Sequence, residues 1–488
     1  MKNILFDNVI SLPHFSKNNH MSLISKNPFN QDILLEIPEW TGHRVEESVE
    51  FSYQEFKRWS KTSFEHRAKL MYKLALILRE KRENFAELIS LEMGMPVSQA
   101  VGDIEKTAQI AEYYADNAQK FLTTEIIENS KNLSIEYEPM GTLLHIAPWN
   151  YPFYLALRPV IPAIMAGNTV LLKHASNMPQ CSMAIQEIFN MAGFPKGVMT
   201  SLMISSKQVH SIIEDDRINI VTLIGSENAG RKVGAAAGMA IKKTVMELGG
   251  NDPFIVLQDA NIEEAAKQAS LARLRNQGQS CNAAKRFIVH KNIAQQFVDK
   301  VLVHFEDQVF GDPTNPKTTF GPLASQSSLE DIKNQVEQSL SLGAKVLIGG
   351  HGKNAILPEK WVKFMQANPL GYFYPPTILT NISKEMSVYK EEVFGPVVPI
   401  IIVETDEEAI EIANDSRLGL GASLWTENLV KAKKLIPLLE CGMVCVNSMV
   451  RSNIKMPFGG VKNSGFGREL GSHGIKEFTN LKSVVIAS

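Results

Sequence analysis

From residue 141 onward, short apolar runs rich in β-branched residues alternate with helical segments. The runs are GTLLHIAP (141–148), NTVLLKHA (168–175), INIVTLIG (218–225), DPFIVL (252–257), KRFIVH (285–290), KVLIGG (345–350), PVVPIIIV (396–403) and GMVCVN (442–447). Strands so uniformly apolar are buried on both faces, as parallel strands covered by helices are. The alternation therefore limits the chain to an α/β fold of open, largely parallel sheets. With 488 residues, the chain exceeds one core and divides into two or three domains. Upstream, residues 66–94 carry apolar side chains at Leu70, Leu74, Ile77, Leu78, Phe85, Leu88 and Ile89. That spacing predicts one amphipathic surface helix ending near Gly94.

Open α/β sheets bind ligands beyond the carboxyl ends of their strands. The first three runs each end there in a polar or glycine-rich loop. In IGSENAGRKVGAAAG (224–238), a strand gives way at Gly225 and Ser226 to a helix of small residues. The free N–H groups of that turn suit a phosphate, although the spacing departs from G-x-G-x-x-G.

Several function classes are disfavoured. A formal net charge of −2 gives no electrostatic case for nucleic acid or an anionic membrane. Residues 143–172 are apolar but interrupted by His145, Asn150, Arg158 and four prolines, so no membrane span is expected. Cys181, Cys281, Cys441 and Cys445 are few and scattered; neither a disulfide framework nor a metal site is expected, and a reducing compartment fits. The N-terminus has neither the apolar core of a signal peptide nor the arginines of a mitochondrial presequence. A cytoplasmic protein is expected, with Met21 an alternative start and the first twenty residues a loose extension.

RLRNQGQSCNAAKR (273–286) surrounds Cys281 with Arg273, Arg275, Lys285 and Arg286. A cysteine can be a small buried hydrophobe; beside cations it becomes a thiolate, which is the nucleophilic form. The local sequence leaves both readings open.

Six stretches decide between them: PWNYPF (148–153), LLKHAS (171–176), MELGGNDPF (246–254), NQGQSC (276–281), EEVFGPV (391–397) and PFGGVKNSGFGRE (457–469). In that order they resemble the aldehyde dehydrogenase superfamily, from about residue 21 to the end of the chain. LLKHASN, CNAAKRF and ECGMVCVN look most like its bacterial succinate-semialdehyde dehydrogenases. The resemblance implies that Cys281 adds to an aldehyde carbon, because a free carbonyl has no electron pair to expel hydride and a thiohemiacetal alkoxide does. Asn150 matches the side-chain donor to that oxyanion, with the Cys281 backbone N–H as the second donor. Glu247 matches the general base that hydrolyses the resulting thioester.

On the coenzyme side, Lys173 matches the contact to the adenosine ribose, Glu392 to the nicotinamide ribose, and Phe394 the ring beside the nicotinamide. Gly225, Ser226 and Gly230 would meet the pyrophosphate, and Trp149 and Leu248 complete the set. Many NAD-specific members carry glutamate where this chain has Ser176, and serine does not repel a 2′-phosphate, so NAD and NADP both remain. Arg275 lies six residues before Cys281 and Arg158 eight after Asn150. In the succinate-semialdehyde members both are arginine and grip the far carboxylate, with a third contact here from Ser452 or Asn453.

The expected activity is therefore NAD(P)-dependent oxidation of succinate semialdehyde, a small aldehyde with a distal carboxylate. Glutarate semialdehyde or another short aldehyde is the near alternative; a catalytically silent nucleotide-binding or structural member is the alternative of another class. The resemblance implies an aldehyde dehydrogenase-like α/β architecture of two Rossmann-like open-sheet domains plus a small β bridging element. Residues 1–120 and 140–249 would form the nucleotide-binding domain and 250–445 the catalytic domain. Residues 121–139 and 475–488 would supply bridging strands, and 446–474 a return to the first domain. Exposed strands of that kind imply a homodimer or homotetramer.

Overall fold

A computed structural model describes residues 22–128 and 132–487. The expected N-terminal extension and Met21 lie outside the described residues, as do 129–131 of the bridging segment and Ser488. The expected amphipathic helix is two helices, Phe64–Glu80 and Arg82–Met93, separated at Lys81, whose φ of −107° and ψ of 15° leave the helical region. It ends where expected, on Gly94 in the left-handed conformation (φ 81°) that favours glycine. All seven apolar positions are buried, so this is core rather than surface packing. The next helix, Val97–Phe121 (α1), buries Ala100, Ile104, Ala108 and Ala111 on one face, and Asp103 shares that face.

All eight apolar runs form strands. Thr142–Ile146 (β1), Thr169–Lys173 (β2), Met199–Ser201 (β3), Ile218–Ile224 (β4) and Lys243–Glu247 (β5) are parallel in the order β5-β4-β1-β2-β3. The short strand Gly465–Phe466 adds antiparallel to β5. Helix Tyr154–Ala166 (α2) follows β1 and helix Glu227–Met239 (α3) follows β4. Consecutive residues point to opposite faces: Leu143 and Val170 enter one core, Leu144 and Leu171 another. Both faces being covered explains the unbroken apolar runs.

The second sheet contains Pro253–Val256 (β6), Arg286–His290 (β7), Lys345–Ile348 (β8), Thr377–Thr380 (β9), Val397–Val403 (β10), Gly421–Trp425 (β11) and Met443–Val446 (β12). Its order is β8-β9-β10-β7-β6-β11-β12, parallel except for β8. Helix Ile262–Leu274 (α4) links β6 to the segment before β7. Here too Phe254 and Ile255 enter separate cores. Glu125–Ile126, Leu133–Pro139 and Thr479–Val485 form a separate three-stranded antiparallel sheet. No helix among the described residues is long and apolar enough to cross a membrane.

Candidate active site

Trp149 and Asn150 follow β1, Lys173 ends β2, Gly225 and Ser226 follow β4, and Glu247 ends β5. All leave the carboxyl edge of the first sheet. The chain then runs from Glu247 straight into β6, while Cys281 and Glu392 precede β7 and β10. The carboxyl edge of one sheet thus meets the amino edge of the other. Asn150 Nδ2 donates to Gln279 O across that junction at 3.0 Å, and Gly250 N donates to Glu392 Oε1 at 3.1 Å. The amide of Asn150 keeps a second N–H for a ligand oxygen.

Cys281 lines two cavities. A cleft of about 590 Å³ is walled by Trp149, Asn150, Gly225, Ser226, Glu247, Leu248, Glu392 and Phe394. A cavity of about 290 Å³ on the other side is walled by Arg158, Arg275 and Ser452. Asn453 stays outside, exposed, its Oδ1 accepting from Lys455 N at 3.0 Å in a turn.

The cleft suits a dinucleotide. Ser226 caps α3, its hydroxyl accepting from Ala229 N at 3.3 Å, so the helix N-terminus opens at the cleft wall. A Cβ on Gly230 would meet Leu248 Cδ1 at 2.4 Å, and one on Gly249 would meet Glu392 Oε2 at 2.2 Å. Both glycines allow close approach where the wall is formed. Gln335 Oε1 is buried in the same wall without a hydrogen-bond partner. The rings of Trp149 and Phe394 meet edge to face, with centroids 5.6 Å apart. Lys173 and Ser176 do not line this cleft; they bond each other at 3.3 Å just past β2. Burial pulls the Lys173 ammonium down to about 8, opposed by Glu39.

The cations flanking Cys281 in sequence do not activate it as expected. Arg273 donates to Ala284 O and Val393 O, and Arg286 to Asn251 O, Ile412 O and Ala413 O. They are structural ties. Lys285 holds Ser280 O at 2.7 Å, Cys281 O at 3.2 Å and Glu392 Oε1 at 2.9 Å. Burial pushes the Cys281 thiol up to about 12, with Arg158 and Lys285 only partly offsetting it. Burial thus works against the thiolate that the flanking cations were expected to favour.

Arg158 is also engaged with neighbouring carboxyls. It lines the smaller cavity, but its Nε is ion-paired with buried Glu469, and its Nη2 lies 3.7 Å from Glu247 Oε2. Burial raises the Glu247 carboxyl well above its ordinary value, reinforced by Glu469 and opposed by Arg158. Burial likewise raises Glu469, again opposed by Arg158. Burial alone would lower Arg158, yet Glu469, Tyr154 and Glu247 hold it above its usual value. Glu469 was missed in the sequence although it closes the quoted PFGGVKNSGFGRE stretch. Asp103 and Lys106, on the cavity wall, were missed too; the available signal was a charged pair interrupting the apolar face of α1. Asn276 and Gln277, both buried, hold left-handed backbone (φ 49° and 52°) just before the nucleophile segment. Asn276 Nδ2 ties that segment to Asn150 O at 2.8 Å.

A nucleophile set between a dinucleotide-shaped cleft and a cation-lined cavity, beside a buried carboxyl, can carry out acyl chemistry coupled to hydride transfer. A sequence model of the aldehyde dehydrogenase family matches residues 15–484. A protein of Synechocystis sp. named probable succinate-semialdehyde dehydrogenase [NADP(+)] is 44% identical over 444 residues, covering 91% of this chain and 95% of its own. Succinate-semialdehyde dehydrogenase [NADP(+)] 1 of Mycobacterium bovis is 40% identical over 96% of this chain and 100% of its own. The crystal structure of succinic semialdehyde dehydrogenase from Streptococcus pyogenes in complex with NADP+ matches with a TM-score of 0.90 at 35% identity, covering 96% of this chain and 100% of that one.

Proposed function

The chain belongs to the aldehyde dehydrogenase family, and from that membership we propose that it oxidises succinate semialdehyde to succinate, with NADP the preferred coenzyme. It is an NAD(P)-dependent aldehyde dehydrogenase, similar to the succinate-semialdehyde enzymes. The observation that carries the substrate reading is Cys281 lining both a coenzyme-sized cleft and a cavity rich in cations.

In the proposed reaction the Cys281 thiol gives its proton to solvent water in the cleft, its sulfur forms a C–S bond to the aldehyde carbon, and the carbonyl electrons move to oxygen. Asn150 and the Cys281 backbone N–H hold that oxyanion. Glu392 and the α3 N-terminus on the cleft wall, with Lys173 beyond it at the end of β2, would hold NAD(P)+, which would supply the acceptor for the hydride lost when the oxyanion collapses. This leaves a thioester on Cys281. Glu247, in its carboxylate form, takes a proton from water as the water oxygen bonds to the acyl carbon. The C–S bond then breaks, releasing the acid and the sulfur anion.

An activity matrix of both coenzymes against succinate semialdehyde, glutarate semialdehyde and butyraldehyde tests the reading. Succinate semialdehyde with NADP should give the highest kcat/KM; a panel yielding no NAD(P)H at all would leave the silent-member alternative. Arg275→Ala should lower kcat/KM for succinate semialdehyde by about 10–100-fold and far less for butyraldehyde. A similar fall for both would remove the carboxylate reading. Ser176→Glu should raise KM for NADP at least about tenfold, because a carboxylate there repels the 2′-phosphate; an unchanged NADP-to-NAD ratio would overturn the coenzyme preference.

The proposal extends to assembly and place. Ile126, Leu133, Leu481 and Val485 are exposed on the three-stranded sheet, which supports a homodimer or homotetramer. The four free cysteines support a reducing, cytoplasmic compartment. The separate cores of the two large sheets support domain boundaries near residues 249 and 445.

A further inference from the structure

Beyond Cys281, the smaller cavity holds a lysine supplied from a distant helix. Lys106 follows Asp103 by one turn on α1 and reaches across to the segment after β12, where its Nζ donates to Ser452 Oγ at 2.5 Å. The same Nζ lies 4.4 Å from the centroid of the Tyr154 ring, and Tyr154 OH shares a 2.9 Å hydrogen bond with Ser452 Oγ. Lys106 is partly buried and lines the cavity together with Arg275 and Arg451. Asp103 is the one carboxylate lining it among the described residues, and its Oδ2 already accepts from Phe153 N and Tyr154 N at the start of α2.

Arg158 lines the same cavity but is engaged. It pairs with Glu469, faces Glu247 at 3.7 Å and lies over the Phe458 ring at 4.8 Å. A guanidinium paired with buried Glu469 has its charge partly balanced, whereas three cations facing one carboxylate leave an excess. Resting on the carboxylate-aldehyde reading above, we propose that Lys106 is a specificity-determining residue: with Arg275, Arg451 and the Ser452 hydroxyl it receives the distal carboxylate.

The charge on Lys106 is conditional. Burial, then Arg158 and Arg275, pull its ammonium down to about 7, with Asp103 opposing and Arg451 adding to the fall. The groups facing it are Asp103 on its own helix, Tyr151, Tyr154 and Arg158 from the start and first turns of α2, Arg275 and Cys281 from the segment after α4, and Arg451. Lys106 is charged below about pH 7 and neutral above, so the empty pocket loses attraction for an anion as pH rises. Asp103, raised by burial to about 7, gains negative charge over the same range and acts in the same direction.

The test uses the whole enzyme and the ratio of kcat/KM for succinate semialdehyde to that for butyraldehyde, which cancels pH effects on the shared chemistry. Lys106→Met should lower the ratio at least tenfold, mainly through KM for the anionic aldehyde, and Lys106→Arg should restore most of it. In the unmodified enzyme the ratio should fall between about pH 6 and pH 8.5; in Lys106→Arg the fall should be much shallower, leaving only the share that Asp103 contributes. An unchanged ratio in Lys106→Met, or equal losses with both aldehydes, overturns the inference and leaves the substrate reading standing. A pH slope as steep in Lys106→Arg as in the unmodified enzyme assigns it to Asp103 and overturns the titrating role of Lys106. An unmodified enzyme indifferent to the distal carboxylate takes down the substrate reading itself.

Discussion

Cys281→Ala is expected to abolish aldehyde oxidation, with kcat falling on the order of 10⁴–10⁶-fold, the loss seen when a covalent nucleophile is removed. Cys281 is the one thiol lining either cavity among the described residues, so nothing nearby can replace it. The measurement is initial-rate NAD(P)H formation with succinate semialdehyde, beside a titration of coenzyme binding by protein fluorescence. Binding should survive, since the coenzyme contacts proposed here lie on Lys173, Ser226 and Glu392. Turnover within tenfold of the unmodified enzyme would mean that hydride leaves from a hydrated aldehyde with no covalent step. Because burial holds the thiol near 12, the rate of the acylation step should climb as pH rises through the neutral range.

Glu247→Gln is expected to separate the two halves of the reaction. Steady-state turnover should fall about 10²–10⁴-fold, the usual contribution of a positioned base, while a stoichiometric burst of NAD(P)H survives and acyl-enzyme accumulates. Rapid-mixing absorbance reads the burst, and intact-protein mass spectrometry reads the added acyl group on Cys281. Loss of the burst together with turnover would place Glu247 in the acylation step instead. The pH dependence has a definite sign. The working form is the carboxylate, and burial beside Glu469 raises the pKa of this carboxyl, so deacylation should speed up as pH rises and lose that dependence in the glutamine variant.

The eight strands and the layered α/β architecture were legible because burial on both faces writes an uninterrupted apolar run into each strand, whatever the order of pairing. Cys281, Glu247 and Asn150 were legible because each sits in a short stretch with its own neighbours, and the structure brings all three to one cleft. The cations were misread for a related reason. Adjacency suggested that Arg273, Arg275, Lys285 and Arg286 serve the sulfur, yet side chains on neighbouring residues diverge: Arg273, Lys285 and Arg286 spend donors on backbone carbonyls, and Arg275 lines the smaller cavity. Adjacency in sequence says little about which way a guanidinium faces.

The sequence by itself determined the fold class and the family and pointed to the chemistry proposed at Cys281, since each depends on local pattern and on residue types that the reaction cannot do without. Tertiary structure alone decided the electrostatics. Arg158 meets Glu469 across more than three hundred positions of chain, and Lys106 meets Ser452 across 346. Coulomb interaction and desolvation depend on distance and burial in space, and neither is written in the order of residues along the chain.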